Sequence, residues 1–170
     1  MPTADTDHPS PSQLLLRFQV ARAEDEPAIL EFFKRMLAQL DIPFIPGISD
    51  EGIQGIETQY AHRGLFFVVR HSGEVAGTGA LREINSEDCF ISKLCLDAFL
   101  RGDGLGQLLL DLLLAQAREF GYRRAYLITH TRLQSAMHLF TKAGFLPAED
   151  QTDLPASCDL RMVLELPSTE

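Results

Sequence analysis

The sequence has no tryptophan, only three cysteines, no long apolar run and fewer basic than acidic residues, and each shortage closes off a class of protein. Cys89, Cys95 and Cys158 are odd in number and show no CxxC spacing, so neither a disulfide framework nor a zinc knuckle is supported. No stretch of about 18 apolar residues exists to cross a bilayer. Residues 1–12 carry Pro2, Pro9 and Pro11 with Asp5 and Asp7, but no basic segment followed by an apolar one. A secretory leader is therefore not expected, and the cytoplasm is the expected compartment. Lys plus Arg number 15 against 24 Asp plus Glu, a net charge of −9, which argues against a nucleic-acid binder working through a basic face.

What is present is ordinary globular material: 45% hydrophobic and 23% charged residues in 170, enough for one domain with a real core. Residues 1–13 read as a tail and 14–170 as the domain. Residues 14–20 predict a strand. Residues 24–40 predict a helix, with Ile29, Phe33, Met36, Leu37 and Leu40 at helical spacing and Pro27 in the first turn. The prolines and glycine of 41–49 predict a loop, and 50–62 a weaker helix. Residues 65–70 and 75–84 predict an antiparallel hairpin turning at Ser72-Gly73. Residues 90–96 predict a further strand, with Phe90, Ser92, Leu94 and Leu96 on one face.

A long helix follows over 104–120, its apolar stripe read as Leu105, Leu108, Leu109, Leu112, Leu113, Ala117 and Phe120. Residues 124–129 predict a strand, 131–143 a helix opened by a Thr131/Gln134 capping box and closed by Gly144, then a strand from Phe145. The last strand, 158–166, places Leu160, Met162, Leu164 and Leu166 on one face. The element order implies an α/β (α+β) fold: a mixed, mostly antiparallel sheet of about seven strands with helices on both faces. One right-handed strand-helix-strand crossover is expected.

The chemistry is expected where the fourth strand runs into the long helix, in Arg101-Gly102-Asp103-Gly104-Leu105-Gly106-Gln107. Glycines let backbone approach a ligand closely, and the free N–H groups of a first helical turn favour an anion such as a phosphate. A turn without a ligand is the competing explanation. The spacing fits neither the dinucleotide fingerprint Gly-x-Gly-x-x-Gly nor a P-loop ending in Gly-Lys-Ser/Thr.

The segment Arg101-Gly102-Asp103-Gly104-Leu105-Gly106 resembles the Arg/Gln-x-x-Gly-x-Gly/Ala signature of the GCN5-related N-acetyltransferase (GNAT) superfamily. The likeness extends from about Arg17 to Leu166, through the 136–145 block ending in Gly144-Phe145 and the closing strand. It implies an N-acetyltransferase that moves acetyl from acetyl-CoA directly to a primary amine in a ternary complex, without a metal. The implied cofactor set is Leu94, Cys95, Leu96, Arg101, Gly102, Asp103, Gly104, Leu105, Gly106 and Gln107. Leu94 and Leu96 would pair with the pantetheine arm, and amides of Gly102 to Gln107 would hold the pyrophosphate. A backbone N–H near Leu94 would polarise the thioester carbonyl.

The resemblance is incomplete in three places. Phe140 stands where the family often has a tyrosine that protonates the departing thiolate, Leu133 where asparagine is common, and Asp103 where a cation or glutamine is usual. Glu83, Glu87 and Asp88 are candidates for a carboxylate that removes the acceptor's proton through water, with solvated turn acids as the alternative. Phe44, Tyr60 and His130 are candidate acceptor contacts, alongside Ile45 and Ile48. A small-molecule or peptide amine is the implied partner, with no nucleic acid and no membrane, and a homodimer is left open. A catalytically weakened CoA-binding domain and a nucleotide-binding module are the rival functions.

Overall fold

The computed structural model describes residues 16–168; the proposed tail and the 13/14 boundary lie outside them. Seven strands form one sheet in the order β1-β2-β3-β4-β5-β7-β6. Strand β1 is Leu16–Val20, β2 Leu65–His71, β3 Glu74–Glu83 and β4 Asp88–Leu96, each antiparallel to the next of these four. Strand β5, Arg124–Thr129, runs parallel to β4, and β7, Leu160–Glu165, lies between β5 and the short β6, Leu146–Pro147. Helix α1 is Glu26–Gln39, α2 Ile56–Gln59, α3 Leu105–Glu119 and α4 Gln134–Ala143. The expected order of elements and the mixed sheet are both present.

Alternation in the strands divides the sheet into two faces. On one, Phe67, Val69, Leu81, Cys89, Ile91, Leu127 and Met162 pack against Leu109, Leu110, Leu113, Leu114 and Ala117 of α3 and Phe140 of α4. On the other, Phe66, Val68 and Ala80 pack against Ile29, Phe32, Phe33 and Met36 of α1 and against Ile53, Ile56 and Tyr60. Two carboxylates tie this second layer together: Glu26 accepts the Ile56 N–H at 2.8 Å, and Glu57 the Ala23 N–H at 3.1 Å.

Several local expectations are corrected. The buried face of α3 runs through Leu109, Leu110, Leu113, Leu114 and Ala117, while Leu108 and Leu112 are 47% and 45% exposed. The helix is leucine-rich on all sides, so spacing could not choose the face that the sheet covers. The weak helix over 50–62 is a run of turns with helix only at Ile56–Gln59. Helix α4 starts at Gln134 without the capping box, because Asp159 holds both the Thr131 N–H (2.8 Å) and hydroxyl (2.6 Å).

The correction with most consequence is in β4. Lys93 has φ +55°, and the register with β3 shifts between Thr78 and Ala80, so Lys93 and Leu94 form a bulge opposite Gly79. The Thr78 hydroxyl pins this bulge by donating to the Lys93 carbonyl at 2.5 Å. A bulge reverses the alternation. Cys89 and Ile91 before it, and Leu94 and Leu96 after it, therefore share the α3 face, and Phe90 and Ser92 do not join Leu94 and Leu96.

The two sides of α3 should respond differently to truncation. Leu113→Ala, at a fully buried position, is expected to cost about 2–5 kcal/mol. Leu112→Ala, on the exposed side, should change stability by about 0.5 kcal/mol or less. Urea unfolding midpoints of the two variants check this.

Candidate active site

Strands β4 and β5 pair only over Asp88–Arg124, Cys89–Ala125 and Phe90–Tyr126. Beyond that row they separate, and the β5-facing edge of β4 from Ile91 to Leu96 has no strand partner. An extended chain can add to such an edge through backbone hydrogen bonds. This half of the proposed cofactor set, Leu94, Cys95 and Leu96, therefore lines the opening.

The other half sits directly at its end. After β4 a turn at Ala98–Leu100 leads into Gly102 and Gly104, with φ of +93° and +75°. Open space lies where a Cβ would project at both glycines. They serve the backbone course and leave room for a ligand, rather than answering to packing. Arg101 closes the loop against the strand by donating its Nε–H to the Leu96 carbonyl at 3.1 Å. Hydrogen bonding within α3 begins with Leu108 N–H to the Gly104 carbonyl at 3.1 Å. The N–H groups of Leu105, Gly106 and Gln107 are thus left at the positive end of a 15-residue helix. Gly106 lies between Leu96 and Leu139, each 3.7 Å from its would-be Cβ, so β4, α3 and α4 meet there. The residues suit a pyrophosphate followed by an extended arm. Asp103 is exposed at the loop tip.

Cys95 points to the α1 face, and burial pushes its thiol up to about 11. A protonated thiol is a poor nucleophile. Cys89 is buried on the other face, its thiol pushed up to about 12 mainly by burial. Phe140 is buried against Phe145 at a ring separation of 6.1 Å.

The three candidate carboxylates are not brought together with Leu94. Asp88 begins β4, six residues and roughly 20 Å of strand from Leu94. It binds the Arg124 Nε–H at 2.7 Å and the Asn85 amide at 2.9 Å. Glu83 holds His62 Nδ1 at 2.5 Å and Arg63 at 3.0 Å. Glu87 lies in the exposed turn, 3.8 Å from both Arg123 and Arg124. All three acids are at the paired end of β4 and already face cations.

The candidate acceptor contacts also separate. Tyr60 is buried edge-on to Phe66 at 5.3 Å, whereas Phe44 lies beneath Lys34, 5.3 Å from its ring. Ile45 and Ile48 are exposed in a loop tied by the Ser49 hydroxyl to the Ile45 N–H at 2.8 Å. His130 follows β5 at the rim of the opening, where its Nδ1 accepts the Arg132 N–H at 3.0 Å.

A feature that the sequence reading missed lies on the α1 face of β4, β5 and β7. There a groove of about 1060 Å³ is lined by Arg82, Phe90, Tyr126, Ile128, Arg161 and Val163, with Glu83 and Asp88 toward its far end. The legible signals were Arg82 and Lys93, single cations inside otherwise apolar strand runs. Burial pushes the Lys93 ammonium down, against the pull of Glu51 and Asp50. Its Nζ is 3.4 Å from the Ser49 carbonyl and 5.4 Å from the Phe33 ring centroid. Burial raises the Tyr60 phenol, with Arg82 and Ser92 opposing.

An open strand edge leading to a helix N-terminus, with an acceptor-sized groove on the opposite face, defines an acyl-CoA-dependent acyltransferase. A sequence profile described as "Acetyltransferase (GNAT) family" matches residues 33–145, and the chain belongs to that family. It is accordingly an acetyl-CoA-dependent N-acetyltransferase. It is 28% identical over 151 residues to the uncharacterized N-acetyltransferase YjgM of Escherichia coli, covering 84% of this chain and 90% of that one. A GNAT-family acetyltransferase from Staphylococcus aureus superposes with a TM-score of 0.79 at 19% identity, covering 89% and 99% of the two chains. The YncA protein of Salmonella typhimurium, solved with its cofactor acetyl-CoA, gives 0.70 at 20% identity over 91% and 96%. Among the described residues no helix is long and apolar enough to cross a membrane, and no three His, Cys, Asp or Glu side chains are grouped to hold a metal.

The ion pairs of Glu83 set a pH dependence of stability. The His62 hydrogen bond is the largest influence and, together with the charges of His62 and Arg63 and the Arg63 hydrogen bond, holds its carboxyl below the ordinary range against desolvation, the second-largest effect. A lowered folded value adds stability that is present at neutral pH and lost as pH falls through that value. Glu83→Gln should therefore unfold at lower denaturant than the parent at pH 7, and at nearly the same concentration at about pH 3. Denaturant titrations at the two pH values test this.

Proposed function

We propose that the protein transfers the acetyl group directly from acetyl-CoA to a primary amine, with both substrates bound together. The observation that carries this reading is the separation of β4 from β5 beside the start of α3. It offers a strand edge for the pantetheine arm and free N–H groups for the pyrophosphate, and it opens on its other side to the groove. Leu94 and Leu96 hold the arm, while the amides of the Gly102 to Gln107 segment, with Arg101 bracing the loop, hold the phosphates. The Leu94 N–H donates to the thioester oxygen as negative charge grows there.

The amine nitrogen attacks the carbonyl carbon, the C–N bond forms and the C–S bond breaks, releasing the thiolate. None of Glu83, Glu87 and Asp88 is close to Leu94, so the ammonium gives up its proton to water in the groove. A thiolate is a good leaving group, and with Phe140 in place of a hydroxyl it takes its proton from solvent. The high thiol value of Cys95 supports the absence of an acetyl-cysteine stage.

Initial velocities with both substrates varied should give intersecting double-reciprocal lines over an amine panel. Parallel lines, or CoA release in a burst before amine is added, would overturn direct transfer.

The loop assignment makes a separate prediction. In Gly104→Asp the new Cβ projects into open space, and aspartate tolerates positive φ better than most residues. The fold should survive, while the added charge and bulk at the pyrophosphate weaken CoA binding at least tenfold, read by calorimetry. Phe140→Tyr should keep or raise kcat, because the hydroxyl adds a proton donor at the family's usual position. A large loss of kcat would mean that the Phe140 ring itself is needed.

A further inference from the structure

An arginine without a partner stands at the apex of the opening. Arg82 of β3 is opposite Phe90 of β4, and Phe90 is opposite Tyr126 of β5, so the three form the last row before β4 and β5 separate. Their side chains share the α1 face and line the groove. Arg82 is half-buried, and its guanidinium is 5.9 Å from the centroid of the Phe90 ring. Among the described residues it makes no ion pair and no hydrogen bond.

Its neighbours are otherwise occupied. Arg124 holds Asp88, Arg63 holds Glu83, and Arg161 donates to the Asp150 and Thr152 carbonyls at 2.9 and 3.0 Å. Of the groove's acids, Glu83, Asp88 and Asp150 face Arg63, Arg124 and Arg161, and Glu149 and Glu165 lie on the β6 and β7 side, so Arg82 is left with five N–H donors and the Phe90 ring beside it. A half-buried guanidinium beside an aromatic ring and without an acid partner is suited to a carboxylate, which it can bind through two parallel hydrogen bonds.

The second cation lies further toward the opening. Lys93 occupies the bulge, one residue before Leu94, with its Nζ near the Ser49 carbonyl. Both the Lys93 ammonium and the Tyr60 phenol feel the charge of Arg82. Glu51 and Asp50 offset the Lys93 charge, so in a chain of net charge −9 Arg82 is the cation of this wall that is left to meet a ligand.

We infer that the acceptor is an amine that also bears a carboxylate, a free amino acid or a close analogue, and that Arg82 binds the carboxylate while the amine reaches the carbonyl at Leu94. This rests on the direct-transfer reading above. Arg82 acts here as a specificity residue.

The test compares free amino acids with their own carboxamides under saturating acetyl-CoA. The carboxamides have the less protonated amines and would react faster if the carboxylate were not read. The expected result is at least a tenfold higher kcat/KM for the acid of the best pair. Arg82→Gln should narrow that acid-to-amide ratio at least tenfold, mainly through KM, with Arg82→Lys intermediate. In case Arg82→Gln fails to fold, the parent enzyme supplies a second readout. The deaminated acid of the best substrate should inhibit competitively against the acceptor, and its carboxamide should not. Turnover of amines with equal rates for acid and amide, or an Arg82→Gln variant with an unchanged ratio, would overturn the inference while leaving direct transfer intact. Failure of every amine, with or without a carboxylate, counts against the acyl-transfer reading itself.

Discussion

The loss of pairing between β4 and β5 after Phe90–Tyr126 is the constraint on which the rest of the molecule depends. A parallel pair joined by a crossover helix normally continues as a ladder. Here the bulge at Lys93 bends β4 before such a ladder could extend to Leu96, and the Thr78 hydroxyl holds the bend in place. One edge is left with unpaired backbone groups in the middle of the sheet, a costly arrangement unless something else pairs with it. The helix that follows starts at that same edge, so the strand and the α3 N-terminus lie together, as the proposed site for one extended ligand requires.

The two faces of the sheet divide the labour. Helices α3 and α4 cover one face and supply the closely packed floor on which Gly106 meets Leu96 and Leu139. On the other face, α1 and α2 cover only β1 to β3 and part of β4, leaving Phe90, Tyr126 and Val163 to line an open groove. Net charge describes neither site. In a chain of −9 the proposed phosphate site relies on backbone dipoles, and the groove presents Arg82 while Glu83 and Asp88 are committed to Arg63 and Arg124. Interactions at a few ångströms outweigh an average over the whole surface.

Much of the fold was legible because long periodic segments and turn residues agree with one another. The hairpin at Ser72-Gly73, the Gly144 stop with φ +101° and the alternation of β7 all appear where the pattern put them. The face of β4 was not legible, since alternation assumes a regular pleat and a bulge at an ordinary lysine has no compositional mark. The buried side of α3 was hidden by leucines on every side. The glycine loop was legible as an open, positive-φ turn into a helix N-terminus from its residue types alone. The candidate carboxylates cluster at the turn between β3 and β4, and the strand's length puts them at the far end from Leu94.

By itself, the sequence determined the order and type of the elements, the glycine-rich course of the 101–107 loop into a helix N-terminus, and the family to which they point. These are local properties, encoded by side-chain period, glycine placement and the start of a helix. Tertiary structure decided where β4 and β5 part, which face each residue of β4 presents, and that Arg82 stands partnerless at the apex while Glu83 and Asp88 are paired. Those facts depend on register between strands distant in the chain, and a one-residue slip in register moves a side chain to the opposite face of the sheet.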